Sequence, residues 1–246
     1  MTAITSQHNP RLKELRKLHR RRDRDRAGLF VAEGEDLIVA AAAAGRTAVH
    51  GYRAPGTAVG GTEFEEVEPG LLAGVSTLGS GTRAIGVYEQ RFGKLAGPLC
   101  VCLWGVGDPG NVGTVLRGAL AFGAACVALG PGCADPHSPK AVRASMGAIF
   151  VVGLARVNDV SELPGERVAL VAGDGEPLWQ VGDARPLTLL VGAEREGLPE
   201  QVVGACDRVA HIPIASESLN AAMAATVALY EMTRGGRDND DRVPGS

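Results

Sequence analysis

Apolar positions in this chain change their spacing along its length. Near the start Leu12, Leu15 and Leu18 recur at helical intervals, Asn9 is placed to cap and Pro10 suits the first helical position, which predicts a helix over residues 9 to 22. Beyond it, Leu29 to Ala32 reads as a strand, Gly34 to Ala44 as a helix ended by Gly45, and Ala48 to Tyr52 as a second strand. Glu63 to Val67, a helix near Leu71 to Val75 and a strand at Ala84 to Tyr88 complete a small α/β domain over residues 1 to 90. Residues 91 to 98 resemble a linker. After them come apolar runs at Leu99 to Trp104, Cys126 to Leu129, Val151 to Val157, Val168 to Ala172, Leu187 to Val191 and Arg208 to Ile212. Helical stretches at 111 to 122, 139 to 147 and 219 to 234 separate most of these runs, so residues 99 to 236 are expected to form a parallel sheet covered on both faces. Residues 237 to 246 read as a disordered tail.

Composition narrows the class. A chain of 246 residues can bury a substantial core without crosslinks. Its five cysteines, Cys100, Cys102, Cys126, Cys133 and Cys206, form no Cys-x-x-Cys pair and read as reduced, mostly buried thiols. The five histidines are scattered, so no metal site is expected. The N-terminus lacks an apolar signal core, and the longest membrane-like run, Leu37 to Ala44, falls far short of the roughly 20 residues a spanning helix needs. A cytoplasmic protein without a membrane partner is the expectation.

Charge is unevenly spread. The net charge is −3, yet residues 11 to 26 hold nine basic side chains (Arg11, Lys13, Arg16, Lys17, Arg20, Arg21, Arg22, Arg24, Arg26) against three acids. Such a basic face on an otherwise acidic protein localises affinity for polyphosphate, although a solvated charged helix would have the same composition.

Three segments follow apolar strand-like runs with glycines and polar residues: Asn111-Val-Gly-Thr-Val-Leu-Arg117, Gly192-Ala-Glu-Arg-Glu-Gly197-Leu198, and Ile212-Pro-Ile-Ala-Ser-Glu-Ser218-Leu219-Asn220. In open α/β sheets, ligands bind outside the carboxyl ends of strands, so function is sought there. Just upstream, Gly105-Val-Gly-Asp-Pro-Gly110 matches a dinucleotide-binding G-x-G-x-x-G. It lacks the acid that should close the second strand, and Pro109 stiffens the loop, which disfavours an NAD oxidoreductase. Asn111 and Ser218 are each suited to cap the helix that follows. Arg117, taken to project from a second helical turn, opposes the macrodipole; it is either a salt-bridge partner or a fixed cation for a phosphate or nascent oxyanion. Glu194 is expected to tie its own loop or to serve the site. The small residues Ala221 to Ala228 imply close packing, within the domain or against another subunit.

In this order and spacing the three segments resemble the signature of the SpoU/TrmH family of SPOUT RNA methyltransferases: N-x-G-x-x-x-R, G-x-E-x-x-G-L, and I-P followed by S-L-N. Ser138-Pro-Lys140-Ala-Val-Arg143-Ala-Ser145-Met-Gly147 is similar to the family's intervening segment, and residues 6 to 45 to its RNA-binding domain. Where the family often has a hydroxyl residue, this chain has Ala222, a departure expected to weaken one local hydrogen bond. The resemblance implies an α/β SPOUT domain with a parallel sheet and a trefoil knot, preceded by a small L30e-like α/β RNA-binding domain. It implies a homodimer formed through the catalytic domain, S-adenosylmethionine as cofactor, and methylation of a ribose 2′-hydroxyl, with 23S ribosomal RNA favoured. A transfer RNA methyltransferase or a non-catalytic RNA-binding member is the alternative. Val191, Gly192, Ala193, Gly197, Leu198, Ile212, Pro213, Ile214, Leu219 and Asn220 would hold the cofactor. Arg117 would be the catalytic cation, positioned with the ribose by Asn111, Glu194, Ser218 and Asn220. Arg11, Lys13, Arg16, Lys17, Arg20, Arg21, Arg22, Lys140 and Arg143 would hold RNA phosphates.

Overall fold

A computed structural model describes residues 3–59, 63–77, 81–182, 185–216 and 218–237. They form two compact units, one drawn from the described residues up to 91 together with 135–151, the other from 92–134 together with the described residues from 152 to 237.

The first unit opens with helix α1 (Pro10–Lys17), whose Asn9 cap accepts from the Arg11 amide at 2.8 Å and whose Leu12 and Leu15 are buried. The helix predicted to 22 stops at Lys17, and a second, α2 (Arg21–Ala27), follows. The reason is Arg24. Instead of joining the basic face, its guanidinium is 3 % exposed, donates to the Leu18 carbonyl at 2.9 Å and pairs with Asp135 at 2.5 Å. That geometry requires the chain to turn between the helices. Strand β1 (Leu29–Glu33), helix α3 (Glu35–Ala43), strands β2 (His50–Arg53) and β3 (Glu65–Glu66), helix α4 (Pro69–Ala73) and strand β4 (Ala84–Glu89) come next. The sheet order is β1-β4-β2-β3, with β4 antiparallel to both neighbours. Leu12, Leu15, Val31, Val67, Leu72 and Ile85 close its core.

The rest of the chain supplies β5 (Leu99–Leu103), α5 (Pro109–Ala121), β6 (Cys126–Leu129), α6 (Pro139–Ala144), β7 (Gly153–Arg156), β8 (Glu166–Leu170), β9 (Glu176–Pro177), β10 (Leu187–Val191), α7 (Glu200–Gly204), β11 (Arg208–His211) and α8 (Ala221–Arg237). Among the described residues, seven strands make one parallel sheet in the order β7-β6-β5-β10-β8-β11-β9. The central strands are buried along their length, as a sheet covered on both faces requires. Periodicity alone did not reveal β9 or α7. The residues expected as a tail lie, beyond Arg237, outside the described residues.

The segment 135–151, although drawn from the later part of the sequence, packs in the first unit. Alongside the Arg24–Asp135 pair, α6 lies against β1, and Phe150 meets Tyr88 and Phe30 with ring centres 4.8 and 5.8 Å apart.

One expectation about the cysteines is corrected. Cys100 and Cys126 form a disulfide rather than remaining thiols. The parallel register of β5 and β6 sets them directly opposite, with Cα atoms 5.0 Å apart, an adjacency hidden by a separation of 26 residues. Cys102, Cys133 and Cys206 are free, and burial pushes each thiol up, Cys206 to about 11. Among the described residues, no helix is long and apolar enough to cross a membrane.

Candidate active site

The second unit holds a cleft of about 520 Å³ at the carboxyl ends of its central strands, within the usual range for small-molecule sites. Three strand ends build it: residues 170–172 at the end of β8, 191–198 at the end of β10, and Ile212, Ile214, Ser218 and Leu219 after β11. Adjacent parallel strands deliver their carboxyl ends to the same edge, so segments far apart in sequence converge there.

The loop after β10 is shaped by its glycines. A Cβ on Gly192 would lie 2.2 to 2.4 Å from the backbone of Gly197 and Leu198, so only glycine lets the loop close on itself. The Gly197 amide donates to the Ala193 carbonyl at 2.9 Å and the Ala193 amide returns a bond at 3.2 Å. Residues 194–196 are thereby held out as the tip. Among the described residues Glu194 reaches out of its own loop: its Oε1 accepts from the Asn111 side-chain amide.

That contact corrects the expected caps. Asp108, not Asn111, caps α5, accepting from the Asn111 amide at 3.1 Å, with Pro109 at the first helical position. A carboxylate therefore occupies the helix start where a dinucleotide's pyrophosphate would bind, which argues further against the NAD reading. Likewise Asn220, not Ser218, caps α8: its Oδ1 accepts from the Ala222 and Met223 amides at 2.9 and 3.3 Å. Freed from capping, the Asn111 amide links two motifs. Asn220 Nδ2 donates to Asn111 Oδ1 at 3.2 Å, and Asn111 Nδ2 donates onward to Glu194. The α8 amides fix which end of Asn220 donates, and the direction then propagates to the carboxylate.

Of the remaining candidates, Val191, Gly192, Ala193, Gly197, Leu198, Ile212, Ile214, Ser218 and Leu219 line the cleft, whereas Pro213 and Asn220 do not. Arg117 is not brought to it. Because α5 begins at Pro109, Arg117 sits in the third turn, exposed, and makes no hydrogen bond or ion pair among the described residues. The macrodipole argument, built on a later helix start, loses its force there. Leu170, Val171 and Ala172 line the cleft but escaped the sequence reading, because they are apolar and the glycines and acids that follow them, Gly173-Asp-Gly-Glu176, match none of the three motif segments. Their signal was positional: β8 neighbours β10 in the sheet.

Of the basic candidates in the first unit, Arg11 pairs with Glu65, Lys17 with Glu14 at 2.6 Å and Arg21 with Asp25 at 3.6 Å. Lys13, Arg20 and Arg22 are exposed, Arg16 is half-buried, and Lys140 and Arg143 are exposed on α6.

These features define an α/β protein with a small-molecule cleft at the carboxyl ends of its parallel strands. Residues 98–230 match the model of the SpoU rRNA Methylase family, and residues 9–97 match that of the MRM3-like substrate binding domain. The chain belongs to the SpoU rRNA methylase family. Among its relatives is the 23S rRNA (guanosine(2553)-2′-O)-methyltransferase RlmP of Bacillus subtilis, 28% identical over 94% of this chain and 99% of that protein. Among solved structures, an AdoMet-bound rRNA methyltransferase from Sinorhizobium meliloti superposes with a TM-score of 0.84 at 29% identity, covering 95% of this chain and 98% of the other. The SpoU methyltransferase AviRb from Streptomyces viridochromogenes, in complex with AdoMet, also has a TM-score of 0.84 at 27% identity, over 94% of this chain and 99% of that one.

Proposed function

We propose that this chain transfers a methyl group from S-adenosylmethionine to a ribose 2′-hydroxyl of RNA, with 23S ribosomal RNA as the substrate. The observation that carries this reading is the cleft at the strand ends joined to the Asn220, Asn111 and Glu194 relay. The cofactor fits these residues. Apolar side chains of Leu170, Leu198 and Leu219 suit an adenine ring, the peptide groups at 192–193 and 212–214 suit its polar edge, and the carboxylates Glu194 and Glu196 suit a cationic sulfonium. When bound, S-adenosylmethionine supplies an electrophilic methyl. The protein must hold the ribose oxygen in line with that carbon and ease departure of its proton. Asn111 and Glu194 are placed to orient the ribose, and the relay fixes their donor and acceptor faces.

A second copy of the chain completes the site in this reading. On α8, Met223, Val227 and Tyr230 are exposed apolar side chains, and on α5 Leu120 is exposed one turn after Arg117. The Tyr230 and Phe122 rings, 6.1 Å apart, join the two helices into one surface. A homodimer formed on this face would carry Arg117 at its seam, where the guanidinium could serve the partner's cleft by stabilising a nascent alkoxide or binding the adjacent phosphate. Arginine is too weak a base to take the proton itself. A trefoil knot also belongs to the reading. Strand β10 inserts between β5 and β8, both earlier in the chain, so the last third of the chain enters the middle of the sheet instead of adding at an edge. A ribosomal RNA substrate places the protein in the cytoplasm. The Cys100–Cys126 disulfide means that the cysteines no longer support that placement.

The test is transfer of tritiated methyl from S-adenosylmethionine to an unmodified 23S transcript. The expected product is a ribose methyl that blocks alkaline cleavage at one position; no incorporation would refute the reading. Arg117→Ala and Glu194→Ala are each expected to abolish transfer, with S-adenosylmethionine binding by Arg117→Ala unchanged in calorimetry. Co-expressed as mixed dimers, the two variants should recover activity. Full activity of Arg117→Ala alone removes the arginine from the mechanism.

A further inference from the structure

We propose that Met146 is an RNA contact, an apolar platform on which an unpaired base of the substrate stacks while Lys140 and Arg143 take the flanking phosphates. The inference rests on the reading of this chain as an RNA methyltransferase. Its basis is a residue that neither its backbone nor the core explains. Among the described residues Met146 is the only non-glycine residue with positive φ, at 48°. L side chains are strained in that region, where glycine or asparagine would sit more easily. The next residue, Gly147, at φ 92°, has a clear reason for its identity: a Cβ there would lie 2.5 Å from the Ala40 Cβ on α3. Met146 has no such reason, and its side chain is not repaid by burial. Ala141, Val142, Ala148, Ile149 and Phe150 around it are all buried, while Met146 is 51 % exposed. A position that breaks a backbone preference and a burial preference together points to use of the side chain by something outside the chain.

The chemistry of the surroundings selects the occupant. Lys140 and Arg143 lie one turn apart on the exposed side of α6, and Met146 follows directly after its C-terminal cap, Ser145. Asp135, the only acid in the segment 135–151, is buried against Arg24, so the segment adds no exposed carboxylate of its own beside Arg143. Glu33, which shares a small recess with Arg143, is 5 % exposed and accepts from the Thr77 hydroxyl at 2.7 Å and the Thr77 amide at 3.0 Å. An exposed, apolar and polarisable side chain at the end of a helix that carries two exposed cations matches a base and its neighbouring phosphates better than it matches a protein partner. The segment also packs in the unit that carries the match to a substrate-binding domain, although its sequence falls within the methylase match.

The experiment compares full-length wild type, Met146→Gly and Met146→Leu in methyl transfer to an unmodified 23S transcript. Glycine is expected to raise the transcript KM about five- to a hundredfold, the loss of one stacked base, with the S-adenosylmethionine Kd unchanged and the thermal midpoint unchanged or higher. Leucine should stay within about threefold of wild type, because it keeps an apolar surface. If the glycine variant keeps the wild-type transcript KM, or if its midpoint falls, Met146 is structural and this inference is wrong while the proposed function stands. If wild type transfers no methyl to the transcript, both readings fall.

Discussion

At the scale of single residues, the relay of Asn220, Asn111 and Glu194 works through direction as much as proximity. Each side-chain amide has one donating and one accepting end, and the α8 amides decide the first. Asn111→Asp preserves size and removes the donor, setting a second carboxylate against Glu194. The ribose would be misplaced by repulsion, so kcat should fall about a hundredfold while calorimetric cofactor affinity holds. His19 offers a test in the other unit. Its Nε2 is buried without a hydrogen-bond partner among the described residues, and burial, ahead of the nearby charges, lowers its pKa below the usual value. Between that lowered value and about 6.5, the unfolded chain binds a proton that the folded chain does not. Stability should therefore decline as pH falls below about 6.5, with no contribution from this group above it. Urea midpoints at neutral and mildly acidic pH should converge in His19→Gln relative to wild type. An equal acid sensitivity in the variant would assign the effect to other groups.

At the scale of elements, Arg24 shows where sequence reading succeeds and where it stops. The leucine stripe, the Asn9 cap and Pro10 gave the start of α1 because those signals are local. The end of α1 depends on Arg24 reaching a carboxylate 111 residues further along the chain, a pairing that no window of sequence contains. The caps failed for a related reason. Asp108, Asn111, Ser218 and Asn220 are all able to cap, and only the neighbouring loops decide which one does. The three motif segments were readable because glycines and polar residues interrupt apolar runs, whereas Leu170 to Ala172 interrupt nothing. Because Arg24 and Asp135 are both buried, removing either strands the other's charge. Arg24→Leu should cost about 3–5 kcal/mol in urea denaturation, and adding Asp135→Leu should return much of that loss. A cost below about 1 kcal/mol for the single variant would mean that the pair is hydrated in solution.

At the scale of the whole molecule, a net charge of −3 conceals the means of binding a polyanion. Counting basic residues overstates that means, because charges on α1 and α2 fall into different classes. Arg24 is spent inside the fold, and Arg11, Lys17 and Arg21 each have an acidic partner. Lys13, Arg20 and Arg22 are exposed and carry no ion pair among the described residues, so they are the charges best able to replace counterions on RNA. Two triple variants of equal charge separate these classes. Changing Lys13, Arg20 and Arg22 to glutamine should flatten the plot of log affinity for the 23S transcript against log salt by about 2, at roughly 0.7 per single-strand phosphate. Changing Arg11, Lys17 and Arg21 to glutamine should flatten it less, since each already faces a carboxylate that partly neutralises it. Equal flattening by the two sets would show that the ion pairs open on RNA, and no flattening by either would move the phosphate contacts off these helices.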